Sequence, residues 1–175
     1  KRNCCLRCRR DDCKCLRFMN FLANFSDNAK VWVYFSKSKI NSSQKQIISD
    51  LSVLFMNDWT SHGEKVRGDV VVYDDCFLVI CAEVSSDSMC GRAVDANVRF
   101  VKDIESKTGL SLLDRMTAAY RNIEGEIMIS TFHKLKESMD SKSTNDILKV
   151  FNPMVYTKKE FTSSFEQDLE KSWMS

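Results

Sequence analysis

The sequence predicts an α+β fold: a single domain in which a small, mostly antiparallel sheet packs with amphipathic helices. The chain has 175 residues, of which 43% are apolar and 29% charged, as expected for one globular domain. Short β-branched and aromatic runs alternate irregularly with stretches of helical periodicity. Two of these runs follow each other closely enough to form a hairpin, which favours antiparallel pairing.

The first two elements are a strand and a helix. Residues 31–35 (Val-Trp-Val-Tyr-Phe) are typical of a buried strand. A helix is predicted over 43–58, with Ser43 and Gln46 at the spacing of a capping box. A turn marked by Gly63 follows the helix. The expected core face of the helix consists of Ile47, Leu51, Leu54 and Phe55.

The next segment predicts a hairpin and a second long helix. Strands over 69–73 and 76–84 are expected to pair antiparallel around Asp74–Asp75. A helix over 93–107 should end at Gly109, because glycine favours the left-handed backbone that commonly follows a helix. The expected core stripe of this helix is Val94, Val98, Val101 and Ile104.

The last part of the chain predicts three helices and one strand. A short helix is expected over 111–120, a strand over 126–129 and a helix over 131–139. A final amphipathic helix over 158–171 is expected to dock on the domain. Its apolar face consists of Phe161, Phe165 and Leu169.

The beginning of the chain differs from the rest in charge. Residues 1–17 carry seven Lys or Arg and two Asp, a balance of +5, whereas the remaining residues carry 19 basic and 22 acidic groups. The beginning also lacks the periodicity of a helix or a strand. We therefore expect residues 1–18 to be a basic, cysteine-rich extension that is disordered or not part of the native domain. Residues 19–175 are expected to form the single α+β domain.

The cysteines allow several interpretations. Four thiolates of the extension could hold a metal ion, although the second pair departs from the usual Cys-x2–4-Cys spacing of zinc sites. These cysteines are Cys5, Cys8, Cys13 and Cys15. An extension without a metal is the favoured interpretation, and a targeting segment is a third. The cysteines of the body show no pairing pattern, which predicts reduced thiols in the cytoplasm.

Charge and hydropathy argue against two classes of partner. The mildly acidic body is unsuited to nucleic acid, because affinity for the phosphate backbone requires clustered Lys and Arg. The longest apolar run, Cys76–Ala82, is far short of the roughly 20 residues that a membrane helix needs. We therefore expect no nucleic-acid partner and no membrane insertion, and no cofactor is predicted.

One segment has the glycine spacing of a nucleotide-binding P-loop. Gly63 and Gly68 match that spacing, but the next two residues of a P-loop must be Lys and Ser or Thr. Asp69 and Val70 occupy those positions, and a carboxylate there repels phosphate. The sequence therefore does not support ATPase activity.

Three residues could form a catalytic set. His62 lies at the predicted turn, and Cys90 precedes a predicted helix, whose N-terminus lowers the pKa of a thiol. With Asp95, they could provide a thiol, an imidazole and a carboxylate for nucleophilic or general acid–base chemistry. The favoured alternative is that His62 caps a turn, Cys90 is a loop thiol and Asp95 complements the helix dipole.

The turn around 59–63 and the loop at 85–95 are expected to form a ligand or partner surface. Asp114 and Arg115 are candidates for the same surface, although an ion pair or a helix cap is their favoured role. The predicted surface consists of Trp59, His62, Gly63, Cys90, Gly91, Asp95, Asp114 and Arg115.

Several short motifs together resemble one family. They are Val-Trp-Val-Tyr at 31–34, Trp59-x-x-His62-Gly63, Cys90-Gly91-x-x-Val94-Asp95, Leu-Leu-Asp-Arg-Met at 112–116 and Phe-Asn-Pro-Met-Val at 151–155, with Trp173 near the end. Their order and spacing are similar to those of small bacterial proteins commonly labelled "ABC transporter ATPase". The resemblance covers 24–175 and implies that the domain begins near Met19. It implies no catalytic residue, and the chain lacks the Walker motifs that the label requires.

These observations predict a cytoplasmic, non-catalytic protein that binds a protein or small-molecule partner. One alternative is a thiol-dependent or general acid–base enzyme that uses His62, Cys90 and Asp95. A second alternative, suggested by the resemblance, is an accessory role in an ATPase complex without hydrolysis of ATP.

Overall fold

The computed structural model describes residues 21–85, 89–140, 146–169 and 172. Within them the chain forms nine strands and four helices of seven residues or more. The helices are α1 (Ser42–Asp58), α2 (Gly91–Thr108), α3 (Phe132–Asp140) and α4 (Lys158–Ser164). The strands are β1 (Lys30–Phe35), β2 (Thr60–Ser61), β3 (Glu64–Lys65), β4 (Arg67–Tyr73), β5 (Phe77–Glu83), β6 (Thr117–Asn122), β7 (Ile127–Thr131), β8 (Ile147–Phe151) and β9 (Glu166–Asp168).

The strands form two main sheets and a short ribbon, and all of these pairings are antiparallel. The first sheet has the order β1–β5–β4 and the second has the order β7–β6–β8–β9. Strands β2 and β3 pair with each other as the ribbon. The predicted α+β class with antiparallel sheet is confirmed, and the division into two sheets goes beyond that prediction.

Strand β5 is buried on both faces. Leu78 and Ile80 pack with α1 and α2, whereas Phe77 and Val79 pack towards the second sheet. On the far side of that sheet, Leu135 of α3 packs against β6 and β8. The layers are therefore helix, sheet, sheet and helix. A strand between two apolar layers has no solvent face, which explains its continuous apolar run.

Helix α1 begins at a different cap from the one predicted. Asn41 and Gln44 form the capping box, so the prediction of Ser43 and Gln46 is wrong by two residues. The Asn41 side chain accepts the Gln44 N–H at 2.9 Å, and the Gln44 side chain accepts the Asn41 N–H at 3.0 Å. Asn41 caps the helix because its side-chain oxygen reaches a free N–H group of the first turn. Leu54, predicted in the core face, is 64% exposed.

Helix α2 confirms the predicted end but not the whole predicted core stripe. Gly109 follows the helix with φ of 69°, the left-handed conformation expected there. Val101 and Ile104 are buried, whereas Val94 and Val98 are only half-buried. The buried face is completed by Ala93, Asn97 and Phe100.

The predicted helix over 111–120 is wrong, because this segment holds an irregular stretch and most of β6. The Glu105 carboxylate accepts the N–H groups of Leu112 and Leu113 at 2.6 and 2.9 Å. These bonds satisfy backbone groups that have no helical partner. Strand β6 pairs on both edges with β7 and β8, and this tertiary pairing outweighs a weak helical pattern.

The final predicted helix is too long. It ends at Ser164, and Glu166–Asp168 pairs with β8 instead. Phe161 and Phe165 are nevertheless buried, as expected for a docking segment. Strand β7 and helix α3 agree with the predictions for 126–129 and 131–139. The extension 1–18 with Cys5, Cys8, Cys13 and Cys15, and the terminal Trp173, lie outside the described residues.

Candidate functional site

The β2–β3 hairpin turns at His62 and Gly63. Ser61 pairs with Glu64, so the turn contains only these two residues. Both have positive φ, 51° for His62 and 83° for Gly63, as a type I′ turn requires. Glycine adopts this backbone freely, whereas histidine is held in it by the hairpin. The turn therefore presents the exposed His62 side chain in a strained but defined position.

Two hydrogen bonds, one buried and one partly buried, attach the hairpin to the start of α2. Trp59 follows α1 and is 2% exposed, and its Nε1–H donates to the Ala93 carbonyl at 2.9 Å. Ser61 is 1% exposed, and its Oγ accepts the Cys90 N–H at 3.0 Å. Because both bonds are shielded from solvent wholly or in part, they hold the hairpin against the start of α2.

Cys90 lies at the N-cap position of α2, and its thiol is half-exposed. The Ser61 hydroxyl, followed by the backbone N–H groups of His62 and Ala93, lowers the pKa of the thiol to about 7. Partial burial opposes this change, and the charge of His62 adds a small further lowering of the pKa. By contrast, burial raises the pKa of the Cys81 thiol in β5 to about 12. The Cys90 thiol therefore ionises more readily near neutral pH than the Cys81 thiol does.

A groove of about 910 Å³ runs between α1, the hairpin and α2, with Cys90 in its wall. Phe55 and Phe100 stack at a centroid distance of 4.3 Å and form part of its apolar floor. Arg92 and Arg99 contribute cations, and Asp58 and Asp103 contribute anions. The remaining lining residues are Leu51, Leu54, Trp59, Thr60, His62, Gly63 and Ala96.

The structure brings together only part of the predicted surface. Trp59, His62, Gly63 and Cys90 line this groove, and Gly91 is the first residue of α2. Residues 86–88 of the predicted loop lie outside the described residues.

Three predicted residues lie outside the groove. Asp95 is exposed on α2 and does not line it, so the structure does not assemble the predicted set of thiol, imidazole and carboxylate. Asp114 forms an ion pair with Lys37 at 2.6 Å, and its segment packs at the end of α2 remote from Cys90. The 18 residues of α2 span about 27 Å. Asp114 and its neighbour Arg115 therefore belong to a different part of the surface.

Ser61 and the paired phenylalanines are the residues that sequence reasoning missed. Ser61 lies in a strand of two residues, too short to give a periodic pattern. Phe100 carried a detectable signal, since it lies one turn from Ala96 and Ile104 on α2. Arg92 and Arg99 also carried a detectable signal, because residues seven apart in the sequence lie on the same face of a helix.

The described part of the chain supports neither a phosphate-binding loop nor a metal site. Gly63 and Gly68 lie in a turn and an antiparallel strand, not in a loop that opens a helix, so the phosphate-binding arrangement is missing. Residues 21–85, 89–140 and 146–169 contain no group of three His, Cys, Asp or Glu side chains that could hold a metal ion. None of the described helices has the length and apolarity to cross a membrane.

Comparison with known proteins assigns no family to the chain. No protein-family model, curated protein or solved structure matches it. The resemblance to proteins labelled "ABC transporter ATPase" therefore stays a prediction.

Proposed function

We propose that this protein is a non-catalytic binding protein whose ligand occupies the groove between α1 and α2. The observation that carries the proposal is the groove itself, which combines an aromatic floor with charged walls over about 910 Å³. Sites for small molecules and peptide side chains commonly have this size and this mixture of surfaces. Leu54 is 64% exposed at the rim, and burial of this side chain would favour ligand binding.

The groove favours a ligand with an apolar body and polar ends. Phe55 and Phe100 offer an apolar surface, while Arg92 and Arg99 lie two helical turns apart beside it. Asp58 and Asp103 balance the two arginines, so the walls do not select for a strongly charged ligand of either sign. Cys90 lies in the wall as a built-in attachment point for a probe.

Disulfide capture of thiol fragments at Cys90 tests the binding proposal. The full chain is used with its five extension cysteines, Cys4, Cys5, Cys8, Cys13 and Cys15, changed to Ser. Cys76 and Cys81 are fully buried, so Cys90 is the accessible thiol of the described residues. We expect amphipathic fragments to be captured well above a cystamine reference.

Two neighbouring substitutions separate the groove from general reactivity. Leu54→Asp places a charge at the rim, whereas Val53→Asp places it on a residue of similar exposure outside this groove. Capture should fall about tenfold in Leu54→Asp and persist in Val53→Asp, because one apolar side chain contributes about 1.5 kcal/mol to binding. Equal capture of all fragments by all three proteins would contradict a binding groove.

The lowered pKa of Cys90 favours thiol-dependent catalysis as a second candidate. The thiolate would attack an electrophilic acyl carbon, the leaving group would depart with the electron pair of its bond, and water would later release the acyl group. His62 is the nearby side chain that would act as the base, and Asp95 has no role in this mechanism. With p-nitrophenyl acetate, steady turnover that Cys90→Ser abolishes would support an enzyme. A single burst without turnover would leave a reactive thiol in a binding site.

The remaining expectations belong to the same proposal. Reduced thiols support a cytoplasmic location. The family resemblance suggests that the partner belongs to a transporter ATPase complex.

Since no P-loop geometry is present in the described residues, purified protein should not hydrolyse ATP. Hydrolysis that survives purification to homogeneity would contradict this.

A further inference from the structure

Helix α1 leaves much of its apolar surface at the outside of the described domain. Among its 17 residues only Ile48 is buried, whereas α2 buries five of 18. Leu51 and Leu54 belong to the face that the sequence predicts as core, yet they line the groove, and Leu54 is 64% exposed. Apolar side chains that share one exposed helix face commonly mark a contact with another molecule.

The neighbouring face of α2 carries a stripe of four charges of alternating sign. Arg92, Asp95, Arg99 and Asp103 are three or four positions apart, so they lie along one face of the helix. All four residues are exposed. None of them forms an ion pair with another residue of the described chain. The charges of this stripe are therefore available to a partner.

The signs of these charges are reversed when the stripe is followed in the opposite direction. From the start of α2 the order is positive, negative, positive, negative, and from its end the order begins with a negative charge. A second copy of the stripe, placed antiparallel to the first, therefore sets Arg92 opposite Asp103 and Asp95 opposite Arg99. Both pairs fit the same register to within one residue. A surface that is complementary to itself is what a two-fold interface requires.

Helix α1 places Leu54 beside the middle of the stripe. The two helices run antiparallel, because Trp59 bonds to the start of α2 and the Gln44 side chain donates to the Thr108 carbonyl at 3.0 Å near its end. Both contacts have the same register, which sets Leu54 level with Val98 of α2. The most exposed apolar side chain of the groove wall therefore lies at the centre of the charge pattern.

We propose that two copies of this chain associate through this face, with their α2 helices antiparallel across a two-fold axis near Ala96. Arg92 of each copy then pairs with Asp103 of the other, and the two Leu54 side chains are buried against each other near the axis. Apolar contact supplies affinity, and the charges set the register. The small side chain of Ala96 allows the two helices to approach closely. The proposal rests on the binding role of the groove and names a second copy of the chain as the occupant.

Sedimentation equilibrium of the full chain under reducing conditions tests the proposal. Wild type should form a dimer whose fraction rises with protein concentration. Arg92→Asp sets like charges against each other at both ends of the interface, so the dissociation constant should rise at least about tenfold. Lys136→Asp, an equal reversal of charge on exposed α3, should leave it unchanged. Wild type that stays monomeric up to about 1 mM, or a dimer insensitive to Arg92→Asp, would overturn the proposal.

The opposite substitution identifies the residue that faces Arg92. Asp103→Arg should weaken the dimer as much as Arg92→Asp does. The double variant should dimerise again, because each exchanged pair regains opposite charges. A mixture of the two single variants should form mixed dimers, since one variant carries acids at both positions and the other carries bases. Failure of both the double variant and the mixture to recover dimers would overturn the antiparallel pairing.

Fragment capture at Cys90 separates this inference from the binding role of the groove. Fragments and the second copy compete for the same surface, so capture should fall as the concentration of wild type rises and should fall less in Arg92→Asp. A monomeric protein whose capture still depends on Leu54 would overturn only the dimer and leave the groove as a binding site. A monomeric protein that captures all fragments equally would overturn both proposals.

Discussion

Two hairpin turns of this protein share positive φ angles and differ in what supports them. His62–Gly63 joins β2 to β3 with two residues, and Asp74–Cys76 joins β4 to β5 with three. His62, Gly63, Asp74 and Asp75 all have positive φ. Ion pairs support the aspartate turn: Lys45 pairs with Asp75 at 2.6 Å and Arg121 pairs with Asp74 at 3.3 Å. No ion pair of the described residues supports the histidine turn, which depends on the buried Trp59 and Ser61 beside it.

This difference separates a structural turn from one that can carry a site. Arg121 also pairs with Glu166 of its own sheet at 2.7 Å, and its pair with Asp74 joins that second sheet to the first. Burial lowers the pKa of Arg121, but the hydrogen bonds and charges of Glu166 and Asp74 outweigh it and raise the pKa above its usual value. The aspartate side chains are thus occupied by the fold. The His62 side chain is exposed in the groove wall and remains available to a ligand.

The largest expected effect comes from breaking the support of the aspartate turn. Arg121→Met leaves two partly buried carboxylates without their shared cation and should lower the free energy of unfolding by about 2–3 kcal/mol. Urea unfolding at pH 7 measures this change. Arg99→Met, in the wall of the groove, should change stability by less than about 0.5 kcal/mol. Equal effects of the two substitutions would show that Arg121 does not clamp the sheets.

A smaller effect is expected at the glycine of the histidine turn. Gly63→Ala forces alanine to φ of 83° and should destabilise the protein by about 1 kcal/mol. Gly91 provides a matched control, because an added Cβ meets nothing within 4 Å at either glycine and only Gly63 has positive φ. Gly91→Ala should therefore be neutral or slightly stabilising in thermal unfolding. A loss of stability in both variants would point to a cause other than φ.

The third prediction concerns the thiol beside the histidine turn. With the extension cysteines changed to Ser, the rate of Cys90 alkylation by iodoacetamide should rise with pH around a midpoint near 7. Ser61→Ala removes the largest cause of the lowered pKa, so the midpoint should move upward. The rate at pH 7 should fall by about threefold, because a more nucleophilic thiolate partly offsets its smaller population. Ser52→Ala on α1 should leave the midpoint unchanged.

The same pKa makes a stability prediction with a definite sign. Folding lowers the pKa of Cys90, so the native state favours the thiolate. This contribution is fully present above the pKa of the unfolded thiol, about 8.5, and is lost as the pH falls through about 7. Relative to Cys90→Ala, wild type should gain stability between those two pH values. A flat difference across this range would contradict the lowered pKa.

The smallest expected change is at His62, and it gives the sharpest contrast, because the same kind of substitution at Asp74 should act with the opposite sign. Asn adopts positive φ readily, and Asn-Gly is the preferred type I′ pair. His62→Asn should therefore stabilise the protein by a few tenths of a kcal/mol. Asp74→Asn keeps the backbone but removes the charge facing Arg121, and should destabilise it by about 1 kcal/mol. Differential scanning calorimetry of both variants measures these changes in stability. Changes of the same sign would contradict the expected contrast between the two turns.

The predictable parts of the fold are those with a strong local signal. Residues 31–35 and 76–84 were identifiable as strands from β-branched and aromatic content, and α1 and α2 from their periodicity. The helix predicted over 111–120 is wrong because the weak helical pattern of this segment competes with strand pairing to β7 and β8. For the site, His62 and Cys90 could be named from the sequence, since one follows a helix and the other precedes one. Ser61 gave no such signal.

By itself the sequence determines the α+β class, the two long helices, the turn at Asp74–Asp75 and the absence of a complete P-loop. These features depend on residues that are close in the sequence, within about one or two helical turns. The spacing of those residues determines the local structure. Only the tertiary structure decides that Ser61 meets Cys90 across 29 positions and that Trp59 meets Ala93 across 34. It also decides that β5 lies between two apolar layers while Asp95 stays outside the groove. Such contacts depend on how whole elements pack, and no local pattern encodes the partner.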